Sequence, residues 1–274
     1  MMPGRQDPVE PRMVSIRRGE VLLRGWLYAR PGAGPVPAIL WHHGSERGPD
    51  HVPRLGQFYV ASGYTLLVLH RHGHGLSPGE YPLDVIRAQA RTRAATPEDY
   101  RGEAIALLID LHRRYLLDTV AALEWLARLP YVDADRIAIT GVSHGGVQTV
   151  LAAQADVGAK AYVAFAPAAM AWSTTPELHE LLLDAVRAAR APIFLLQAAN
   201  DYSLGPSEVL GRELERKGPP NRARVYPAYG RTQQSGHGDF ACLGTAAWGD
   251  DVCAFLDQVL GPGPSAATAT LPRQ

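Results

Sequence analysis

Residues 137–140, Ile-Ala-Ile-Thr, run without a break into Gly141-Val142-Ser143-His144-Gly145. The first four have the apolar, β-branched character of a buried parallel strand, and the next five fit the G-x-S-x-G pattern of a strand that turns sharply into a helix. Glycines two residues either side of the serine let the backbone fold back without Cβ clashes. The Ser143 hydroxyl is therefore predicted to stand clear of the sheet in a strained conformation. In a chain with 27 glycines an ordinary glycine-rich turn could show the same five residues. The strand before it and the small-residue helical stretch at 147–155 favour a presented nucleophile instead.

A turn of this kind needs a sheet behind it, and the remaining sequence supplies one. Residues 13–18 and 21–30 alternate apolar and polar positions about Arg18-Gly19-Glu20 and read as a β-hairpin. Further strands are expected at 38–41, 64–69, 161–166, 193–198 and 223–226. Helices are expected at 52–62, 116–129, 177–190, 207–216 and 248–260. The alternation implies an α/β fold: a mostly parallel central sheet with helices on both faces, led by an antiparallel N-terminal hairpin.

Two kinds of segment fall outside this pattern. Residues 78–114 exceed a plain crossover and show helical spacing after Thr96-Pro97-Glu98-Asp99, a capping sequence. A helical insertion overhanging the site is expected there. Residues 1–12 and 261–274 have little to bury, so a flexible N-terminus and a disordered tail are expected to flank one domain at 13–260.

Lys plus Arg and Asp plus Glu each number 27, which leaves no net field to recruit nucleic acid or an anionic membrane. A small, near-neutral ligand is easier to accommodate. Cys242 and Cys253 are too few for a disulfide scaffold or a zinc site and read as free thiols. No secretory signal or membrane-length apolar run is visible, so a cytoplasmic monomer or homodimer is expected.

A serine hydroxyl is a weak nucleophile near neutral pH and needs a base at hydrogen-bonding distance, itself held by an acid. The strand at 193–198 ends near Asn200-Asp201, and Gly236-His237-Gly238 follows the last strand. Ser143, Asp201 and His237 each fall at the carboxyl end of a strand, where open α/β sheets place their sites, and their order along the chain resembles that of nucleophile, acid and base in the α/β-hydrolases. Asp239 is a competing acid, but only two residues from His237 it would need a tight local turn to reach the ring. Oxyanion donors are expected from the backbone N–H of His144, which opens a helix, and of Ser45 in the loop after the strand at 38–41. The side chains of His42 and His43 are expected to pack against the strand ends. Trp172 and Tyr202 are candidate pocket aromatics. His70, His72 and His74 alternate as metal ligands would, but no acidic partner accompanies them and glycines interrupt them, so neither metal nor cofactor is expected.

In combination, His43-Gly44, Arg71-His72-Gly73-His74-Gly75-Leu76-Ser77, Gly141 to Gly146, Asn200-Asp201 and Gly236-His237-Gly238 resemble the α/β-hydrolases of the dienelactone hydrolase and prolyl-oligopeptidase-like group. The resemblance covers roughly residues 20–260. It implies metal-free hydrolysis of esters, thioesters, lactones or peptides by a Ser-His-Asp triad. Dienelactone hydrolases themselves carry cysteine where this chain has Ser143, and the peptidases carry a propeller for which this chain has no room. A carboxylic esterase acting on a small-molecule ester is therefore expected. A thioesterase, a small-peptide or lactone hydrolase, and a hydrolase-like protein that only binds a ligand are the alternatives.

Overall fold

Eight strands form one sheet in the computed structural model, which describes residues 8–262 apart from Pro31 and Ala33. Strands β1 (Arg12–Arg18) and β2 (Val21–Tyr28) make the antiparallel hairpin, and β2 pairs antiparallel with β4 (Thr65–His70). The sheet then continues in parallel through β3 (Val36–His42), β5 (Val132–Val142), β6 (Ala161–Phe165), β7 (Ile193–Ala198) and β8 (Arg222–Tyr226). The resulting order is β1-β2-β4-β3-β5-β6-β7-β8. The chain leaves β3 for β4 on one side and returns from β4 to β5 on the other. Such a reversal opens a crevice at the carboxyl ends of the strands, here those of β3 and β5.

Each strand feeds two cores because successive side chains point to opposite faces. Ala38 and Leu40 of β3 join a layer with Leu123 and Leu126 of α3 (Pro97–Ala127), Val147 and Val150 of α4 (His144–Gln154), Leu182 of α5 (Pro176–Ala188) and Leu210 of α6 (Gly205–Lys217). Ile39 and Trp41 point the other way. They meet Leu55 and Tyr59 of α1 (Pro53–Ala61) and Trp248 and Phe255 of α8 (Thr245–Leu260).

The segment between β4 and β5 differs from the sequence reading. Helix α2 (Pro82–Arg93) is followed by a single 31-residue α3, with no break between residues 114 and 116. Thr96 caps it through a reciprocal box with Asp99, and its buried positions Leu107, Leu111, Tyr115, Asp118, Ala122 and Leu126 continue one stripe at helical spacing to the end. The stripe changes partner partway. Leu107, Leu111 and Tyr115 pack on Ile86 and Ala90 of α2, whereas Leu123 and Leu126 pack on the sheet. One helix thus carries both the overhanging lobe and a sheet-covering layer, and the sequence gives no punctuation where the role changes.

Residues 1–7 and 263–274, where a flexible start and a tail are expected, lie outside the described residues. Val9, next to the first of these, exchanges two backbone hydrogen bonds with the Gln57 amide at 2.9 and 2.8 Å. Arg136 holds the carbonyls of Leu260, Gly261 and Pro262. Cys242 and Cys253 are free thiols. No helix among the described residues is long and apolar enough to cross a membrane.

Candidate active site

Ser143 sits between the end of β5 and the start of α4 with φ 59° and ψ −117°, a conformation that costs a residue bearing a Cβ on the order of 1–3 kcal/mol. The surroundings enforce it. The Ser143 N–H donates to the Phe165 carbonyl at 2.9 Å, and a Cβ at Gly145 would collide with the carbonyl oxygens of His42 and His43. That close approach brings the loop after β3 onto the serine. A Cβ built at Gly44 would stand 3.6 Å from the Ser143 Cβ.

His237 lies on a wide, π-type helical turn, Ser235–Asp239, rather than on an open loop. The ring is 4 % exposed, and its Nδ1 is 2.8 Å from Oδ1 of Asp201. Its buried Nε2 has no hydrogen-bond partner among the described residues. Asp201 also accepts from the Tyr202 N–H on Oδ1 at 2.7 Å and from Gln197 Nε2 on Oδ2 at 2.9 Å, so donors meet both of its oxygens. Asp239 makes no hydrogen bond to the His237 ring among the described residues; it lines the cavity beside Ser143.

Two residues that sequence reasoning did not single out hold this pair. Gln197, inside β7, fixes Asp201 while accepting from the Ser207 N–H at 3.0 Å and donating to the Ser203 carbonyl at 2.8 Å. Asn200 clamps the loop leading to His237, with its Nδ2 donating to the carbonyls of Tyr229 and Thr232 and its Oδ1 accepting the Tyr229 N–H. Asn200 adjoins Asp201 in the Asn200-Asp201 pair already noted, whereas nothing local in the sequence marks Gln197.

The loop after β3 rests on a buried cation. Arg71 is fully buried, and no carboxylate lies within ion-pairing distance of it among the described residues. Its Nη1 donates to the His43 carbonyl at 2.8 Å and its Nη2 to the Gly44 carbonyl at 2.5 Å. The Gly44 carbonyl belongs to the same peptide as the Ser45 N–H, so this contact orients and polarises that N–H. The neighbouring Gly44 N–H is taken by Glu46 Oε1 at 3.2 Å, whereas the Ser45 N–H has no acceptor among the described residues. The His144 N–H lies at the first position of α4, where helix N–H groups lack intrahelical partners. Ser45, Ser143 and His144 line one common space, and Gly44, Ser45, Ser143 and His237 line a second that adjoins it.

The other sequence candidates are placed as follows. Trp172 is buried in the core with its ring stacked on His179 at 4.0 Å and does not line the space at Ser143. Tyr202 packs its ring edge-on to His237 at 5.4 Å and donates its hydroxyl to Gln234, bracing the imidazole rather than walling a pocket. His70, His72 and His74 do not converge. His70 Nδ1 accepts from the Leu76 N–H, His74 holds the Glu46 carbonyl and the Tyr115 hydroxyl, and His72 lies against Gly79. Among the described residues no group of three or more His, Cys, Asp or Glu could hold a metal ion. Cys242 reaches the cavity wall, but burial pushes its thiol up to about 12, which keeps it protonated and a poor nucleophile.

Six histidines surround Arg71, and all are held neutral, first by burial and then by the guanidinium or each other. His42, His74 and His112 are pushed down to about 3 and His70 to about 4, with His43 and His144 also well below the ordinary range. The unfolded chain binds these protons near pH 6.5, so between pH 6.5 and about 4 it carries more of them than the folded chain does. Stability is therefore complete above pH 6.5 and is lost as pH falls below it. The urea midpoint is expected to drop steeply from pH 7 to pH 5; a midpoint constant over that range contradicts the assignment of neutral, buried rings.

Comparison with known proteins agrees with this architecture. A family model for acetyl xylan esterase matches residues 17–180, and one for the prolyl oligopeptidase family matches residues 108–262. A polyketide transferase of Penicillium sp is 28 % identical over 216 residues, which cover 74 % of this chain and 64 % of the relative, so the chain spans just under two thirds of that protein. Among solved structures, an esterase of Pyrococcus furiosus superposes with a TM-score of 0.65 at 19 % identity, covering 95 % of this chain and 97 % of the other. The acylaminoacyl peptidase of Pyrococcus horikoshii does so with a TM-score of 0.65 at 18 % identity, covering 96 % of this chain and 44 % of its own. With two family models each matching more than half of its length, this chain belongs to the serine-esterase group of the α/β-hydrolases.

Proposed function

We propose that the protein hydrolyses carboxylic esters through an acyl-enzyme formed on Ser143. The observation that carries this reading is the imidazole of His237, whose Nδ1 is held by Asp201 while its buried Nε2 is left unpaired in a residue that shares a cavity wall with Ser143. Asp201 fixes the tautomer that leaves Nε2 as a base. Nε2 takes the proton of Ser143 Oγ as that oxygen bonds to the ester carbonyl carbon. The carbonyl oxygen becomes an oxyanion facing the N–H groups of Ser45 and His144, and the start of α4 adds the favourable end of its dipole. His237 then gives its proton to the departing alcohol. A water molecule loses a proton to the same nitrogen, attacks the acyl carbon and releases the acid, which restores Ser143.

A fluorophosphonate probe tests the reading directly, because it reacts with an activated serine and not with an ordinary hydroxyl. One covalent adduct is expected, on Ser143. No adduct, or an adduct on another residue, removes the proposal.

The polyketide transferase relative favours a second reading of the same machinery, in which a nucleophile other than water accepts the acyl group. Product analysis with an added alcohol separates the two: free acid is expected to dominate, and an ester product would make the protein a transferase.

A further inference from the structure

We infer that the site sorts an ester into two halves, seating an apolar acyl chain of about six to eight carbons beneath α2 and α3 and the alcohol on the side of His237. The size follows from a space of about 220 Å³ at roughly 30 Å³ per heavy atom, close to one water's share of liquid volume. The inference rests on the roles proposed above for Ser143 and His237.

Two spaces meet at Ser45, Ser143 and Met170. The smaller is walled by Leu83 of α2, Leu108 of α3, Val147 of α4 and Leu178 of α5. The larger, about 480 Å³, is lined by Glu46, Arg47, Tyr81, Gln234, His237 and Asp239. Which half of the ester enters which space follows from the tetrahedral carbon. Its four bonds go to Ser143 Oγ, the oxyanion, the leaving oxygen and the acyl carbon. The oxyanion must face the N–H groups of Ser45 and His144, and the leaving oxygen must lie within reach of His237, which lines only the larger space. The acyl carbon is left pointing into the smaller one.

The chemistry of each space suits that assignment. The smaller is apolar on four helices, and its two imidazoles, His112 and His144, stack at 4.0 Å and are kept uncharged by burial. A charged acyl group would lose its water there with little beyond the unpartnered, neutral His144 Nε2 to replace it, whereas a hydrocarbon gains by leaving water. In the larger space the carboxylates of Glu46 and Asp239 keep a polar alcohol solvated. Met170, 56 % exposed at the junction, offers apolar, adaptable surface that a seated acyl chain covers.

The test is a series of p-nitrophenyl esters that share one alcohol. From acetate to hexanoate, kcat/KM is expected to rise by about fourfold per methylene buried, and to fall again at laurate. Leu108→Trp is expected to lower the hexanoate-to-acetate ratio of kcat/KM by at least tenfold. Leu83→Trp, on the other helix, is expected to act in the same direction, so that one folded variant, verified by thermal melt, is enough. A flat profile, a maximum at acetate, or an unchanged ratio in the folded variants overturns the two-half seating and leaves the esterase reading intact. Failure to turn over any ester, together with a Ser143 that does not react with fluorophosphonate, overturns both.

Discussion

Ser143→Ala is expected to reduce turnover of p-nitrophenyl hexanoate by about 10⁶-fold in kcat, the loss typical of removing the nucleophile from a serine triad that works as a unit. The residue that remains has no oxygen to form the acyl-enzyme, and only orientation and the oxyanion donors still act. Stability is a separate readout. Serine and alanine both carry a Cβ, so both occupy φ 59° at similar cost, and the hydroxyl makes no hydrogen bond within the protein among the described residues. The melting temperature is therefore expected to move by no more than a degree or two. Turnover within tenfold of the parent enzyme would show that another group is the nucleophile. A large fall in melting temperature would show instead that the serine has a structural task.

Asp201→Asn is expected to cost about 10⁴-fold in kcat with little change in KM, because an amide facing Nδ1 favours the tautomer in which Nε2 carries the proton and cannot act as base. This site adds a second consequence. Oδ1 accepts from His237 and from the Tyr202 N–H, while Oδ2 accepts from Gln197, whose own amide is locked by Ser207 and Ser203. Whichever way the asparagine amide is turned, its NH₂ group meets a donor. An unsatisfied buried donor costs about 1–3 kcal/mol, so this variant is expected to melt several degrees lower as well as to lose activity. Asp239 meets the cavity rather than the ring. A greater loss in Asp239→Asn than in Asp201→Asn would reverse the assignment of the acid.

What could be read from sequence divides along the range of the interactions. The turn at Ser143 was legible because its requirements are local: an apolar strand, two glycines and a helix that starts at once. The preference for Asp201 over Asp239 came from chain geometry, since a carboxylate two residues from His237 needs a tight local turn to reach its ring, and it is Asp201 Oδ1 that lies 2.8 Å from Nδ1. The aromatics were less tractable. Trp172 and Tyr202 lie beside site loops in sequence, but the packing of His179 and Gln234 decides where their rings point. Helix α3 is a single helix where two pieces are expected, because the change of partner from α2 to the sheet takes place along one unbroken apolar stripe and needs no break in the chain.

The sequence by itself determined the α/β layering and the strand-turn-helix at Ser143, because periodicity and glycine placement act over a few residues. Only the tertiary structure decided what supports Ser143, Asp201 and His237. Arg71 lies 27 residues from the Gly44 carbonyl it grips, and Leu83 and Leu108 meet across the same space as Leu178. Contacts of that kind depend on how whole helices and strands are stacked, and no local pattern encodes a buried guanidinium's partner or the shape of a cavity between four helices.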